Sequence, residues 1–291
     1  MFYFCSLAAV SLLTSQLPSV EKQAVMEIAR ELGKKNWNFS LNPCDGNNIW
    51  NTSNWPQSFL VCNCAFRDCV CHIEQLILRR QDLPGVLPRS VAKLPHLKIL
   101  DLDRNYLTGS IPREWTSTKL QKLVLSGNRL SGPIPDHLGN ITTLEYMIIE
   151  TNRFNGGVPS ELGRLVKLET LVLSANNISG RLSTELFHLK NLSVLRLINN
   201  YFRGKMPSFQ RSKILRVLEL QLSGFEGPIP SNISNLNLTQ LRISDLGGGD
   251  SEFPNLGNMI GMTRLMLRSC NIYGKIPTYF SNLTNLLLLT L

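Results

Sequence analysis

Residues 97–112 read Leu97-Lys98-Ile99-Leu100-Asp101-Leu102-Asp103-Arg104-Asn105-Tyr106-Leu107-Thr108-Gly109-Ser110-Ile111-Pro112. By residue class the stretch is LxxLxLxxNxLxGxIP. The frame returns at Leu120, with Asn128, Leu130, Gly132, Ile134 and Pro135, and again at Leu144, Leu168, Leu192 and Leu215. Looser copies start at Ile73, Leu238, Met262 and Leu286, and from Ile73 onward the starts lie 23 or 24 residues apart. A fixed period of that length marks a repeat array in which each unit is one supersecondary element.

Each residue type has a task in that frame. The LxL core is a short strand, and at period two its leucines share one inward face. The asparagine bonds backbone groups at the bend that follows, where the chain cannot pair with a neighbouring strand. The apolar residue two places later re-enters the core, the glycine permits a positive φ, and the Ile-Pro step favours extended backbone. One repeat cannot bury its apolar face, but a stack can. Strands about 4.8 Å apart then give a parallel sheet on the order of 45 Å long. The 50 leucines among 291 residues are the inward rungs of this ladder. The expected fold is an α/β solenoid, a right-handed superhelix with a parallel concave sheet.

Departures from the frame mark particular places. Gln81, Ser223 and Cys270 occupy the asparagine position, and Ser183 replaces the proline. Cysteine is an accepted alternative there, so Cys270 reads as a buried structural residue. The copy starting at Leu238 lacks the Asn-x-Leu-x-Gly bend but keeps its length, and Gly247–Gly249 reads as an irregular loop. A phosphate-binding loop needs a following Lys-Ser/Thr in a strand–loop–helix context, which is missing here.

The x residues of xxLxLxx face outward on the sheet. Their middle column runs Ile77, Asp101, Val124, Ile148, Val172, Arg196, Glu219, Arg242, Met266 and Thr290. Val124, Ile148 and Val172 give an apolar stretch suited to a partner contact. Arg196, Glu219 and Arg242 alternate in charge, with Arg264 and Arg268 near their far end. These five residues are the candidate ligand-binding set, for a peptide carboxylate or an acidic sugar. The bland reading of the same column is a ladder of charges that neutralise one another.

Composition narrows the function classes. At 43% hydrophobic and 18% charged, the chain is not a disordered one. The net charge of +9 lies wholly in residues 73–291, but no like-charge block exists, so nucleic acid is not an expected partner. No apolar run after the first positions is long enough to span a bilayer. The four histidines show no metal spacing, and neither G-x-S-x-G nor the kinase signatures are present. No catalytic residue, metal or cofactor is expected.

Met1 to Leu13 is apolar apart from Cys5, Ser6 and Ser11, which reads as a secretory signal over residues 1–16. Glycosylation sequons at Asn38, Asn51, Asn140, Asn177, Asn191, Asn232, Asn237 and Asn282 support secretion. So does cysteine placement, with Cys44, Cys62, Cys64, Cys69 and Cys71 gathered at one edge of the array. One-residue gaps between paired cysteines fit zinc poorly. Cys62 and Cys64 are too close to bond each other without strain. If Cys44, Cys62, Cys64 and Cys71 form two bridges, Cys44 pairs with Cys62 or Cys64, Cys71 takes the other, and Cys69 is the odd thiol. Val20, Ala24, Val25, Ile28, Ala29 and Leu32 recur at helical spacing, with Ser19 as the expected start and Gly33 as the stop. Residues 17–72 therefore read as a helical, disulfide-stapled cap ahead of nine repeats and a partial tenth over 73–291.

LTGSIP at 107–112 and LSGPIP at 130–135 resemble the plant-specific leucine-rich repeat. The cap sequence is more specific: Leu32-Gly33-Lys34-Lys35-Asn36-Trp37-Asn38-Phe39, Asn42-Pro43-Cys44, Cys62-Asn63-Cys64 and Val70-Cys71-His72. With Leu241-Arg242-Ile243-Ser244-Asp245-Leu246 and Leu267-Arg268-Ser269-Cys270-Asn271-Ile272, it resembles the ectodomain of plant leucine-rich-repeat receptor-like serine/threonine kinases that carry a malectin-like domain. The resemblance implies a longer parent with further repeats, a malectin-like domain, one transmembrane helix and an ATP-dependent kinase, of which this chain is a truncated part. It implies an extracellular recognition segment that binds a peptide, a cell-wall glycan or a co-receptor protein. That segment would sit at the outer face of the plasma membrane or in the apoplast. The runner-up is a free secreted repeat protein that inhibits a wall-degrading enzyme.

Overall fold

A computed structural model describes residues 17–44, 58–66, 70–209 and 212–291. The expected leader at 1–16, the Asn51 sequon and Cys69 lie outside the described residues. The chain divides into two compact units, Met1–Arg129 and Leu130–Leu291.

The first unit begins with α1 (Ser19–Leu32), which buries Ala24, Val25, Ile28, Ala29 and Leu32 as the spacing requires. Two details differ from expectation. Pro18, not Ser19, holds the cap position; no side chain caps the start, and the Pro18 carbonyl accepts from Lys22 N–H at 2.9 Å. Val20 is 65% exposed, and Glu21 takes the inward place instead. A buried carboxylate needs partners, and Glu21 has them: its Oε2 accepts from the Ile73 amide at 3.0 Å and its Oε1 meets His72 Nδ1. Gly33 ends the helix at φ 74°. The last carbonyls of α1 are then met from the chain ahead: Gly85 N–H donates to Leu32 at 3.2 Å and Val86 N–H to Glu31 at 3.0 Å.

β1 (Ser58–Asn63) runs antiparallel to β2 (His72–Leu78), which pairs in parallel with β3 (Ile99–Asp101), and β3 with β4 (Lys122–Val124). Disulfides join Cys44 to Cys62 and Cys64 to Cys71, which selects one of the two open pairings. The buried polar links of this unit include Trp115, whose indole N–H donates to the Pro88 carbonyl of the preceding repeat at 2.8 Å.

The second unit repeats a strand, a bend and a short 3-10 turn. Its strands are β5 (Ser131–Pro133), β6 (Tyr146–Ile148), β7 (Arg153–Gly156), β8 (Thr170–Val172), β9 (Asn177–Gly180), β10 (Val194–Arg196), β11 (Tyr201–Phe202), β12 (Val217–Leu220), β13 (Gln240–Ser244), β14 (Ser251–Glu252), β15 (Arg264–Arg268), β16 (Ile272–Tyr273) and β17 (Leu288–Thr290). The main sheet runs β6-β8-β10-β12-β13-β15-β17, all in parallel. Leu171, Leu173, Leu195, Leu197, Leu218 and Leu241 point inward and are buried. A second parallel sheet, β11-β9-β7-β5, was not legible in the repeat frame. It forms because the N-x-L-x-G segment extends briefly again after the bend, as with Asn155 opposite Asn177.

The asparagines stitch each bend to the repeat before it. Asn176 Nδ2 donates to the carbonyls of Ile149 and Leu173, and Oδ1 accepts from Phe154 N–H. Asn200 does the same with Leu173, Leu197 and Ile178. The residue before each ladder position is left-handed: Thr151, Ala175, Asn199, Leu222, Asp245 and Ser269 all have φ near +50°. Expectation reserved positive φ for glycine. Here the strain is offset by regular cross-repeat bonds such as Ala175 N–H to Ile198 O at 2.7 Å.

Ser183, in the proline's place, opens a 3-10 turn whose Glu185 N–H donates to its Oγ at 3.2 Å. Cys270 is buried as expected and contacts the Ile243 and Arg268 carbonyls. Burial pushes its thiol up to about 11.

Candidate functional site

The outward face of the second unit's main sheet gathers the sequence-chosen residues. Parallel pairing sets Arg196 beside Glu219, Glu219 beside Arg242, and Arg242 beside Met266. The two other columns of that face place Gln240 beside Arg264 and Ser244 beside Arg268. Side chains in such a column stand one strand spacing apart, about 4.8 Å.

Glu219 is the pivot. Its side chain is 6% exposed, and its two oxygens face different arginines: Arg196 Nε lies 2.9 Å from Oε2 and Arg242 Nη1 lies 3.8 Å from Oε1. The ladder thus pairs its charges, as the bland reading required. The pairing is not complete hydrogen bonding, however. Arg196 Nε and Glu219 Oε2 make an ion pair, but Arg196 Nε has no hydrogen bond of good geometry among the described residues. Arg242 Nε is buried without an acceptor as well.

Gln221, two residues beyond Glu219 on the same face, was missed by following only the middle column. Its Nε2 donates weakly to Met266 Sδ at 3.7 Å, and its Oε1 is buried with no donor among the described residues. The available signal was period two: Glu219 outward makes Gln221 outward too. Arg264 and Arg268 are exposed and form no ion pair among the described residues.

The apolar stretch is less available than the sequence suggested. Val124 in the first unit is buried, and in the second Val172 is buried and Ile148 half-buried. Close packing along parallel strands covers β-branched side chains that a repeat frame alone presents as exposed.

The described sequon asparagines lie elsewhere. Asn38, Asn140, Asn177, Asn191, Asn237 and Asn282 are exposed, and none stands in the outward columns of the main sheet. Asn232 is half-buried, and its Nδ2 donates to Ser208 Oγ at 2.7 Å. Among the described residues no group of three or more His, Cys, Asp or Glu is placed to hold a metal ion. No helix among them is long and apolar enough to cross a membrane.

The period, the asparagine stitch and the parallel sheet agree with the family models described as leucine rich repeat, which match residues 71–130 and 167–189. These two segments of the chain are leucine-rich repeats. Curated relatives of this leucine-rich-repeat chain are plant receptor-like kinases. A probable leucine-rich-repeat receptor-like serine/threonine-protein kinase of Arabidopsis thaliana is 44% identical over 134 residues, which is 44% of this chain and 13% of the relative. A second from the same plant is 43% identical over 136 residues, 45% of this chain and 13% of that relative. The leucine-rich-repeat chain therefore spans a small part of these kinases' length.

Among solved structures it is similar to a TDR receptor, with a TM-score of 0.71, 27% identity, and coverage of 75% of this chain and 38% of that one. It is also similar to the Arabidopsis receptor kinase HAESA, solved in complex with the peptide hormone IDA and the co-receptor SERK1. There the TM-score is 0.65 at 26% identity, covering 94% of this chain and 48% of HAESA. The leucine-rich-repeat chain is an ectodomain-like region, and the kinase parts of its relatives lie in other regions of those proteins.

Proposed function

We propose that this chain is the extracellular recognition segment of a plant receptor-like protein kinase and that it docks a peptide or a co-receptor protein on the outward face of its second unit. The segment does no chemistry itself. In the whole protein it stands ahead of a malectin-like domain, one membrane-spanning helix and a serine/threonine kinase, and ligand capture outside biases that kinase inside. The single observation that carries the reading is the arginine–glutamate–arginine strip on the sheet face, with Arg264 and Arg268 beside it and in no ion pair among the described residues. The likeness to HAESA, whose partners are a peptide hormone and a co-receptor, supports the same class of ligand. Glycans on the described sequon asparagines of the second unit would leave this face clear, because none of them stands in its outward columns.

Two measurements test it. Affinity of the secreted chain for extracellular plant peptides and co-receptor ectodomains should fall when Arg196→Glu and Arg242→Glu are combined; unchanged affinity removes the strip as the docking site. Transcript sequence beyond Leu291 should encode HRD and DFG motifs, whereas a stop after a capping repeat favours a free secreted inhibitor.

A further inference from the structure

We propose that the outer face of the second sheet binds an acidic polysaccharide, a chain of uronate sugars, with Arg181, Arg203 and Lys205 meeting its carboxylates and Tyr201 packing against a ring. This face is separate from the arginine–glutamate strip on the main sheet, and its ligand goes beyond the recognition reading above.

Alternation along the short strands sets the face. Ile178 and Leu182 turn inward in one repeat, Phe202 and Met206 in the next, and all four are buried. Ser179 and Arg181, then Tyr201, Arg203 and Lys205, therefore turn outward. Arg181, Arg203 and Lys205 are exposed, and Tyr201 is 63% exposed. Parallel pairing sets Tyr201 beside Ser179 and Phe202 beside Gly180. One step on, the Arg203 N–H donates to the Gly180 carbonyl at 2.9 Å, which brings Arg203 beside Arg181. Cations that stand singly in the sequence are thus gathered by the fold.

The gathering is unfavourable as it stands. Like charges opposite each other on neighbouring strands are destabilising. Among the described residues, Arg181, Arg203 and Lys205 enter no ion pair. The backbone of Glu226 bridges Lys205, but its carboxylate accepts from the Gly204 N–H at 3.2 Å. Three cations against that one carboxylate leave two positive charges on an exposed face. Bare Gly204 lets Arg181 lie across toward the next repeat, since a Cβ there would stand 3.4 Å from Arg181 Nε. An anion laid over the two arginines relieves their repulsion.

The rest of the face selects the class of anion. Protein interfaces centre on an apolar, charge-poor core. The outward positions here hold charge, a small hydroxyl at Ser179 and one ring, with no aliphatic side chain. A uronate polymer carries a carboxylate on each sugar and offers the C–H face of the ring between them. Tyrosine presents an apolar body with a polar tip, which suits that face. Guanidinium forks pair with carboxylates through two parallel hydrogen bonds. Strands stand about 4.8 Å apart, so a polymer crossing them meets a cation from one repeat and then from the next.

Binding of de-esterified oligogalacturonide to the secreted full chain tests this. Calorimetry in an Asn177→Gln background keeps a glycan off the head of β9. The oligomer should bind, and more weakly as sodium chloride rises. Its methyl ester, with the same rings and no charge, should bind far less. Arg181→Gln combined with Arg203→Gln should weaken binding about tenfold or more, the range of a lost charge-assisted hydrogen bond. Tyr201→Ser should weaken it about threefold. Lys167→Gln combined with Lys190→Gln removes the same charge from exposed connecting segments and should change little. The proposal is overturned if the oligomer does not bind or if its methyl ester binds equally. Polyglutamate binding as tightly would make the face an acidic-protein site and overturn it too. So would an equal loss from the two lysine substitutions at an unchanged unfolding temperature. Docking of peptides through Arg196 and Arg242 is read with a peptide as the probe, so the two readings fail independently.

Discussion

Asn176 reaches back across the repeat boundary to Ile149: its Nδ2 donates to the Ile149 carbonyl at 3.2 Å while its Oδ1 accepts from Phe154 N–H at 3.1 Å. Replacing it by alanine leaves buried backbone groups of two repeats without partners. Each such group costs roughly 1–3 kcal/mol, so Asn176→Ala should lower stability by about 2–4 kcal/mol. The Ser223 hydroxyl makes a local bond, to Leu220 O. Ser223→Ala should cost clearly less, and paired denaturant titrations of the two variants check the ordering.

Gly85 lies directly against the end of α1. A Cβ there would fall 2.0 Å from the Glu31 carbonyl oxygen and 2.6 Å from the Leu32 carbonyl carbon. Both are backbone, so the helix itself must move. Gly85→Ala should therefore destabilise the cap by about 1–3 kcal/mol or more. Amide exchange should show the loss first at Gly85 and Val86, whose N–H groups donate to α1.

Non-reducing digestion should yield one peptide pair linking Cys44 to Cys62 and another linking Cys64 to Cys71. A Cys44–Cys64 link would refute the pairing. Their spans of 18 and 7 residues predict stabilisation of about 3 and about 2 kcal/mol from chain entropy. Removing the longer bridge should lower the unfolding temperature more.

Cys270 should resist a thiol reagent at pH 8 in the folded protein and react once unfolded. Its thiol is shifted upward by burial first and by the nearby Asp245 charge second. The folded state therefore keeps a proton that the unfolded chain releases. The associated stability is fully present below the ordinary thiol value of 9.0 and is lost as pH rises toward about 11. A Cys270→Ala variant should lack that part of the alkaline loss, which difference melting curves would show.

How much was legible follows from which residues act locally. The period, the inward leucines and the stitching asparagines are short-range patterns, and they fixed the repeat fold. Glu21 has no place in the helix pattern, because its partners His72 and Ile73 are more than 50 residues away. Gln221 was overlooked for a different reason: its significance is an unmet atom, which depends on where Met266 and the arginine side chains settle. The left-handed Leu222 and Ala175 are sustained by neighbouring repeats, against their own conformational preference.

The asparagine stitch lapses at Ser223 and Leu246, and there the ion pairs take over. Arg196 and Arg242 reach Glu219 across the two repeat junctions that lack the side-chain tie. Those junctions keep their strand pairing and bonds such as Gly204 N–H to Glu226 Oε1 and Leu222 N–H to Ser244 Oγ, and add charge on one face where their neighbours have an asparagine amide at the bend. Their opening should therefore depend on salt. Raising sodium chloride should speed amide exchange at Leu197, Asn199 and Leu222, whose N–H groups cross these junctions, while leaving Ala175 unaffected. A ligand gripping the strip would brace the array at the joints that lack the asparagine tie, so occupancy would be felt as stiffness along the chain.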